Sequence, residues 1–196
     1  MAILTVNAGS SSLKFSIYPT KQGSVLPSIL SGSFEGLEPG GKTELRYAYQ
    51  GVEHAEHFED VGQDPFIAAL MHLKELLLEI KGLPSIRAVS HRIVHGGSEF
   101  FRPVVSTDAI LEKLSAMSAL APLHQPHSLD GVKAFSQVFP GIPQVLCFDT
   151  AFHKTMSHLE TSLALPKEIT DQGVRRYGFH GISYQYIIGE LNENSN

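Results

Sequence analysis

A chain of 196 residues, 42% hydrophobic and 18% charged, is long enough to bury a sizeable core and too apolar to be disordered. A net charge of −5 and a pI near 6.0 argue against a general nucleic-acid binder, so any phosphate contact must be local. The single cysteine, Cys147, excludes an internal disulfide, and no apolar run approaches the roughly 20 residues of a membrane span, so a cytoplasmic protein is expected.

The chain opens on a hairpin. Ala2, Leu4 and Val6 alternate with polar positions, and beyond the turn 7–11 so do Leu13, Phe15 and Ile17. Residues 28–37, 43–49 and 52–58 read as further strands, with turns at Pro39-Gly40-Gly41 and Gln50-Gly51. The period changes at 65–81, where Phe66, Ala69, Leu70, Leu73, Leu76, Leu77 and Ile80 recur at helical spacing before Gly82. A buried strand follows at 86–94, then helices at 107–120, capped by Thr107 or Ser106, and at roughly 129–139. A short apolar strand at 143–148, a helix near 166–172 and a last helix at 183–191 complete the chain, whose polar tail 192–196 is expected to fray. Strands first and βα alternation later give an α/β domain with a mixed sheet flanked by helices.

The first turn is the most informative. Gly9 permits a tight reversal, Ser10, Ser11 and Ser12 add hydroxyls beside backbone N–H groups, and Lys14 lies close by. Such a nest plus an ammonium suits a phosphate, although a Gly/Ser turn read alone is an ordinary hairpin connection. It is not a Walker A loop, because it leads into a strand and lacks the second glycine. Three later stretches add chemistry. HRIVHGG puts Arg92 at the end of a strand, where α/β proteins place ligands. APLHQPH is a Pro-bounded loop before a helix, and FDTAFH sets Asp149 at a strand end as a ligand or as a cap of the next helix.

Taken whole, NAGSSSLKF, HRIVHGG, FDTAFH and RRYGFHG resemble, in order, the signatures of the acetate kinase family within the actin-like, sugar-kinase and Hsp70-like superfamily. The resemblance extends from residue 3 to about 188, and propionate kinases share the signatures. It implies a ribonuclease H-like (actin-like ATPase) domain and reversible phosphoryl transfer between ATP and acetate, giving acetyl phosphate and ADP. It further implies that Arg92 contacts the substrate carboxylate or the phosphoryl group, that Arg92, His124 and His180 stabilise the transferring phosphoryl group, and that Asn7, Ser10, Ser12 and Lys14 hold phosphates. Val94, Leu123 and Phe179 would line the pocket for the acetate methyl, and Asn7 and Asp149 would organise Mg²⁺, with Asp149 also holding Arg92. The family's APLHNPPN differs at Gln125 and His127, and its TSH after RRYGFHG is replaced by Ile182-Ser183-Tyr184. Outside the pattern, His127 reads as a loop histidine held by backbone bonds.

Family chains are roughly twice this length, so residues 1–196 are expected to be a single N-terminal lobe without its C-terminal partner lobe, incomplete for catalysis. Its expected partners are acetate, acetyl phosphate and ATP/ADP, with a homodimer or a complementing C-terminal lobe and neither nucleic acid nor membrane. Two rival readings remain at this level. One is a non-catalytic phosphate-binding lobe acting only with a partner chain. The other is a metal-dependent hydrolase, suggested by ten histidines but lacking H-E-x-x-H, with His91 and His95 expected on one strand too far apart to chelate.

Overall fold

The computed structural model describes residues 1–9, 11–38, 40–58 and 64–195. Ser10, Pro39 and Asn196, on which parts of the turn and tail expectations fall, lie outside the described residues. Strands β1 (Ala2–Ala8) and β2 (Ser12–Lys21) form the opening hairpin, with Leu4, Leu13 and Ile17 fully buried on one face as the alternation requires. A two-residue strand β3 (Ser24–Val25), too short to leave a periodic signal, pairs antiparallel with the end of β2. Strands β4 (Leu30–Glu35), β5 (Thr43–Tyr49) and β6 (Val52–Phe58) add an antiparallel wing.

Helix α1 (Pro65–Glu79) starts where Asp64 accepts from the N–H groups of Phe66 and Ile67, and Pro65 occupies a first-turn position where no N–H is needed. Its buried Ala69, Leu70, Leu73 and Leu76 face the sheet. Strand β7 (Ile86–Ile93) then joins β1 in parallel, β9 (Gln144–Phe148) joins β7 in parallel, and the edge strand β8 (Val104–Val105) pairs antiparallel with β9. Among the described residues the order is β6-β5-β4-β2-β1-β7-β9-β8, with β3 attached to β2.

Between β8 and β9 lie α2 (Asp108–Ala116), capped by Thr107, a 3₁₀ turn at 118–120, and α3 (Gln125–Val138). The expected helix at 129–139 thus starts four positions earlier, because Pro126 is tolerated in a first turn whose N–H groups have no partner in the helix. Helices α1 and α3 cover one sheet face, where Leu70, Leu73 and Phe135 meet Leu4, Leu13 and Phe34 in the main core. After β9 come a 3₁₀ turn at 151–155 and the short helices α4 (His158–Thr161) and α5 (Lys167–Thr170). The last helix, α6 (Gly181–Asn194), runs through most of the tail expected to fray. The parallel centre brings the C-terminal ends of β1, β7 and β9 to one edge.

Candidate active site

That edge collects the chemistry. Arg92, one residue from the end of β7, reaches across to Asp149, which immediately follows β9. Its Nε donates to Asp149 Oδ1 and Oδ2 at 3.2 and 3.0 Å, Nη2 donates to Oδ2 at 2.6 Å, and Nη1 donates to Asn7 Oδ1 at 3.3 Å. Asp149 is buried, whereas the Arg92 side chain keeps 34% of its surface. A paired, hydrogen-bonded carboxylate of this kind holds the guanidinium in one orientation, since breaking the pair would strand a charge in low dielectric. Asp149 does not cap the following turn, which begins after Thr150 without a side-chain cap. Its main chain is pinned instead: its N–H donates to Ile93 O and its carbonyl accepts from Gly181 N–H, both at 2.9 Å.

A cavity of about 260 Å³ opens beside this pair. Asn7, Gly9, Ser12 and Lys14 of the hairpin line one side, Arg92 and Val94 the next, and Leu123, His124 and His127 the third. Strand register explains the first group, because Asn7 sits opposite Lys14 and Gly9 N–H closes the turn on Ser12 O at 2.8 Å. His124 is the N-cap of α3 but makes no side-chain capping bond, so its imidazole is not consumed by the helix. His127, expected to be a loop residue, stands in the first turn of α3 and lines the cavity. Two cations, two imidazoles and a Gly/Ser turn around a small cavity make an anion site. A larger concavity, about 790 Å³, lies over the antiparallel wing, but its Arg46 is already engaged by Glu44 at 2.8 Å. Convergence of donors, not size, singles out the smaller one.

Gln125 carries a role that sequence reasoning registered only as a departure. Fully buried, its Oε1 accepts from His95 N–H at 3.2 Å and its Nε2 donates to His95 O at 2.9 Å. His95 itself lies beyond the end of β7, which corrects the expectation that His91 and His95 share a strand; Gly96 and Gly97 end the strand pattern early. His91 is buried, bonded to Gln144 Oε1 at 2.7 Å, and burial pushes its pKa down to about 4. Among the described residues no group of three or more His, Cys, Asp or Glu side chains is placed to hold a metal ion.

Phe179 and His180 stand apart from the cavity that Val94 and Leu123 share. His180 is exposed and left-handed, with φ +56°, at the start of α6. Phe179 meets His95 edge-on, with ring centroids 5.6 Å apart. The apolar trio is therefore brought together only in part. Thr150, which sequence reasoning also passed over, ties the strand ends by accepting from Gly96 N–H at 3.0 Å. Its position next to Asp149 in FDTAFH was the available signal.

Residues 2–196 match the Acetokinase family. The chain belongs to that family. It is 39% identical over 200 residues to an acetate kinase of Rhodopseudomonas palustris, covering 96% of this chain and 47% of that protein. To an acetate kinase of Deinococcus radiodurans it is 41% identical over 196 residues, covering 98% and 47%. The chain thus spans about half the length of the curated relatives it matches. Among solved structures, a propionate kinase from Francisella tularensis superposes with a TM-score of 0.87 at 34% identity, and Porphyromonas gingivalis acetate kinase with 0.81 at 36%. Both superpositions cover 98% of this chain and 48% of the other, and with them the mixed sheet is that of the actin-like ATPase fold. Among the described residues no helix is long and apolar enough to cross a membrane.

Proposed function

We propose that this chain is the N-terminal lobe of a cytoplasmic acetate kinase, contributing the phosphate and acetate sites for reversible transfer of the γ-phosphoryl group of ATP to acetate. The observation that carries the reading is Arg92, held by Asp149 and Asn7 at the mouth of a cavity whose other donors are the Gly9–Ser12 turn, Lys14 and His124. Ser10 of that turn belongs to the same proposal through the family resemblance alone.

The chemistry asks for positioning and positive charge. A transferring phosphoryl group passes through a loose, metaphosphate-like state with charge on its equatorial oxygens, and preorganised cations stabilise it most. Arg92 supplies a fixed guanidinium, and His124 and His180 add imidazole donors. Lys14 and Ser12 hold the phosphates that do not move. No general base is required, because a carboxyl group with a pKa near ~4 is already ionised at neutral pH. Asp149 therefore orients Arg92 and does not take a proton. Val94 and Leu123 seat the acetate methyl, while Phe179, which rests on His95 outside that cavity, joins the acyl pocket through the family resemblance alone.

The oxygens of Asn7 and Asp149 are hard donors of the type Mg²⁺ takes, and both converge on Arg92. Because the guanidinium already occupies the carboxylate, the pair fits an ion held through water. Mg²⁺, when bound, neutralises the charge of the nucleotide phosphates.

Two further readings have specific support. The Francisella superposition favours propionate as an alternative acceptor, and one methylene changes binding in an apolar pocket by only about 1–3 kcal/mol. Helix α6 favours a complementing lobe as partner, since Tyr186, Ile187, Ile188 and Leu191 leave 67%, 51%, 46% and 59% of their surfaces exposed. The test is acetyl phosphate binding by the chain alone, followed by acetate-dependent ADP formation after mixing with the C-terminal half of the Deinococcus relative. Binding that Arg92→Ala abolishes, and turnover that appears only on mixing, are expected. Full turnover by the chain alone would overturn the single-lobe reading, and absence of acetyl phosphate binding would overturn the site.

A further inference from the structure

Residues 175–181 cross from the short helices to α6 and carry His180. Little regular structure holds this segment, yet two histidines from different motifs grip it. From the β7 end, the buried His95 packs edge-on against Tyr177, with centroids 4.5 Å apart, and against Phe179 at 5.6 Å. From the turn after β9, His153 Nε2 bonds Phe179 O at 2.9 Å, and since a carbonyl only accepts, that nitrogen carries the proton. The fit is close. A Cβ at Gly178 would overlap the His153 ring, and one at Gly181 would overlap the Asp149 carbonyl oxygen.

His95 is in turn the most constrained imidazole of the site. Its backbone N–H and carbonyl are both taken by Gln125, and its Nδ1 accepts from Gly97 N–H at 2.8 Å. An accepting Nδ1 requires the tautomer protonated on Nε2, and burial lowers the pKa of the ring, keeping it neutral. Its orientation is thus locked from the chain side before it touches Tyr177 and Phe179.

We infer that His95 and His153 are positioning residues: together they clamp the Tyr177–Phe179 stretch and thereby fix where His180 presents its imidazole. Neither touches the cavity of the phosphate turn. They act through the loop, and the geometry links the HRIVHGG, FDTAFH and RRYGFHG motifs into one device, with Gln125 tying in the APLHQPH loop. The clamp stands on these contacts, while the purpose given to it, placing His180 toward a phosphoryl group, rests on the proposed acetate kinase reading.

The experiment separates the two. Amide hydrogen exchange is measured on the intact chain as wild type, His95→Ala, His95→Phe, His153→Ala and His153→Gln, together with the imidazole Cε1–H resonance of His180 during acetyl phosphate titration. The clamp predicts that His95→Ala and His153→Ala raise exchange by about tenfold or more at Gly181, whose N–H donates to the Asp149 carbonyl, while β1 and β7 stay protected. His95→Phe, which keeps a ring, and His153→Gln, which keeps an Nε2 donor, should restore protection there. In His95→Phe, Gly97 alone should lose it. Unchanged exchange at Gly181 in both alanine variants would overturn the clamp. So would protection lost throughout the sheet in the alanine variants and not restored by the other two, since that marks a general core role. If His180 fails to respond to acetyl phosphate in the wild type while the exchange pattern holds, the acetate kinase reading fails and the clamp survives.

Discussion

Among the described residues, two arginine–carboxylate pairs of similar length stand in very different surroundings. In the antiparallel wing Arg46 Nε meets Glu44 at 2.8 Å, with the two side chains 69% and 21% exposed. At the parallel centre Arg92 Nη2 meets Asp149 at 2.6 Å, with the side chains 34% and 2% exposed. The Arg46 hydrogen bond holds the Glu44 carboxyl below its usual range, but solvent screens the pair and its partners stand only two residues apart on one strand. The Arg92 pair spans 57 residues, joins two strands and draws in Asn7 from a third. Identical chemistry is decoration in one place and architecture in the other, because burial decides what a broken pair costs.

Removing partners measures that difference. The largest effect is expected for Arg92→Ala, which leaves Asp149 buried without its counter-charge: about 3–5 kcal/mol of stability by urea denaturation. On the proposed function, the chain complemented with a C-terminal lobe should, with the same change, form acetyl phosphate more slowly by on the order of a thousandfold or more in a coupled assay. Lys substitution should rescue little, because one ammonium cannot reproduce the fork on Asp149 together with the bond to Asn7.

Acid should weaken the same centre through His91. Its folded pKa of about 4 lies below the ordinary 6.5, so between these values the unfolded chain binds the proton and the folded chain does not. Stability is therefore full above about pH 6.5, falls as pH drops toward about 4, and loses no more from this group below that; the total is about 3 kcal/mol. Urea transitions at pH 7, 5.5 and 4.5 should follow this slope, and His91→Gln should flatten it.

Gln125→Ala comes next. It leaves the N–H and carbonyl of buried His95 without partners, at about 1–3 kcal/mol, and should loosen the contacts of His95 with Tyr177 and Phe179. A thermal melt combined with exchange at Gly181 would show both. The smallest effect belongs to the wing: Arg46→Ala should leave the melting temperature and acetyl phosphate affinity unchanged. A measurable loss there would erase the contrast between the two pairs.

Elements with a strong local period were legible. The opening hairpin, the wing and α1 lie within a few residues of their expected places, because alternation and three-four spacing report which face is buried. Boundaries went astray where chemistry outweighs period. Helix α3 starts at Gln125 and not near 129, as Pro126 reads as a break yet sits where a helix accepts it. Strands β3 and β8, with two residues each, have no period to detect.

At the site, residue types and strand-end positions marked Arg92, Asp149 and the Gly/Ser turn, and the motif order marked the family. The resemblance also implied that Asp149 holds Arg92, and the structure supplies the geometry of that grip. Folding alone decided the rest: that Gln125 locks His95, and that Val94 shares a cavity with Leu123 while Phe179 rests on His95. The physical reason is range. Backbone preference and burial of one face act over a few neighbours and leave a pattern in the order of residues. Contacts between residues 30 or 57 positions apart depend on how strands register and helices dock, and a linear chain carries no local trace of them.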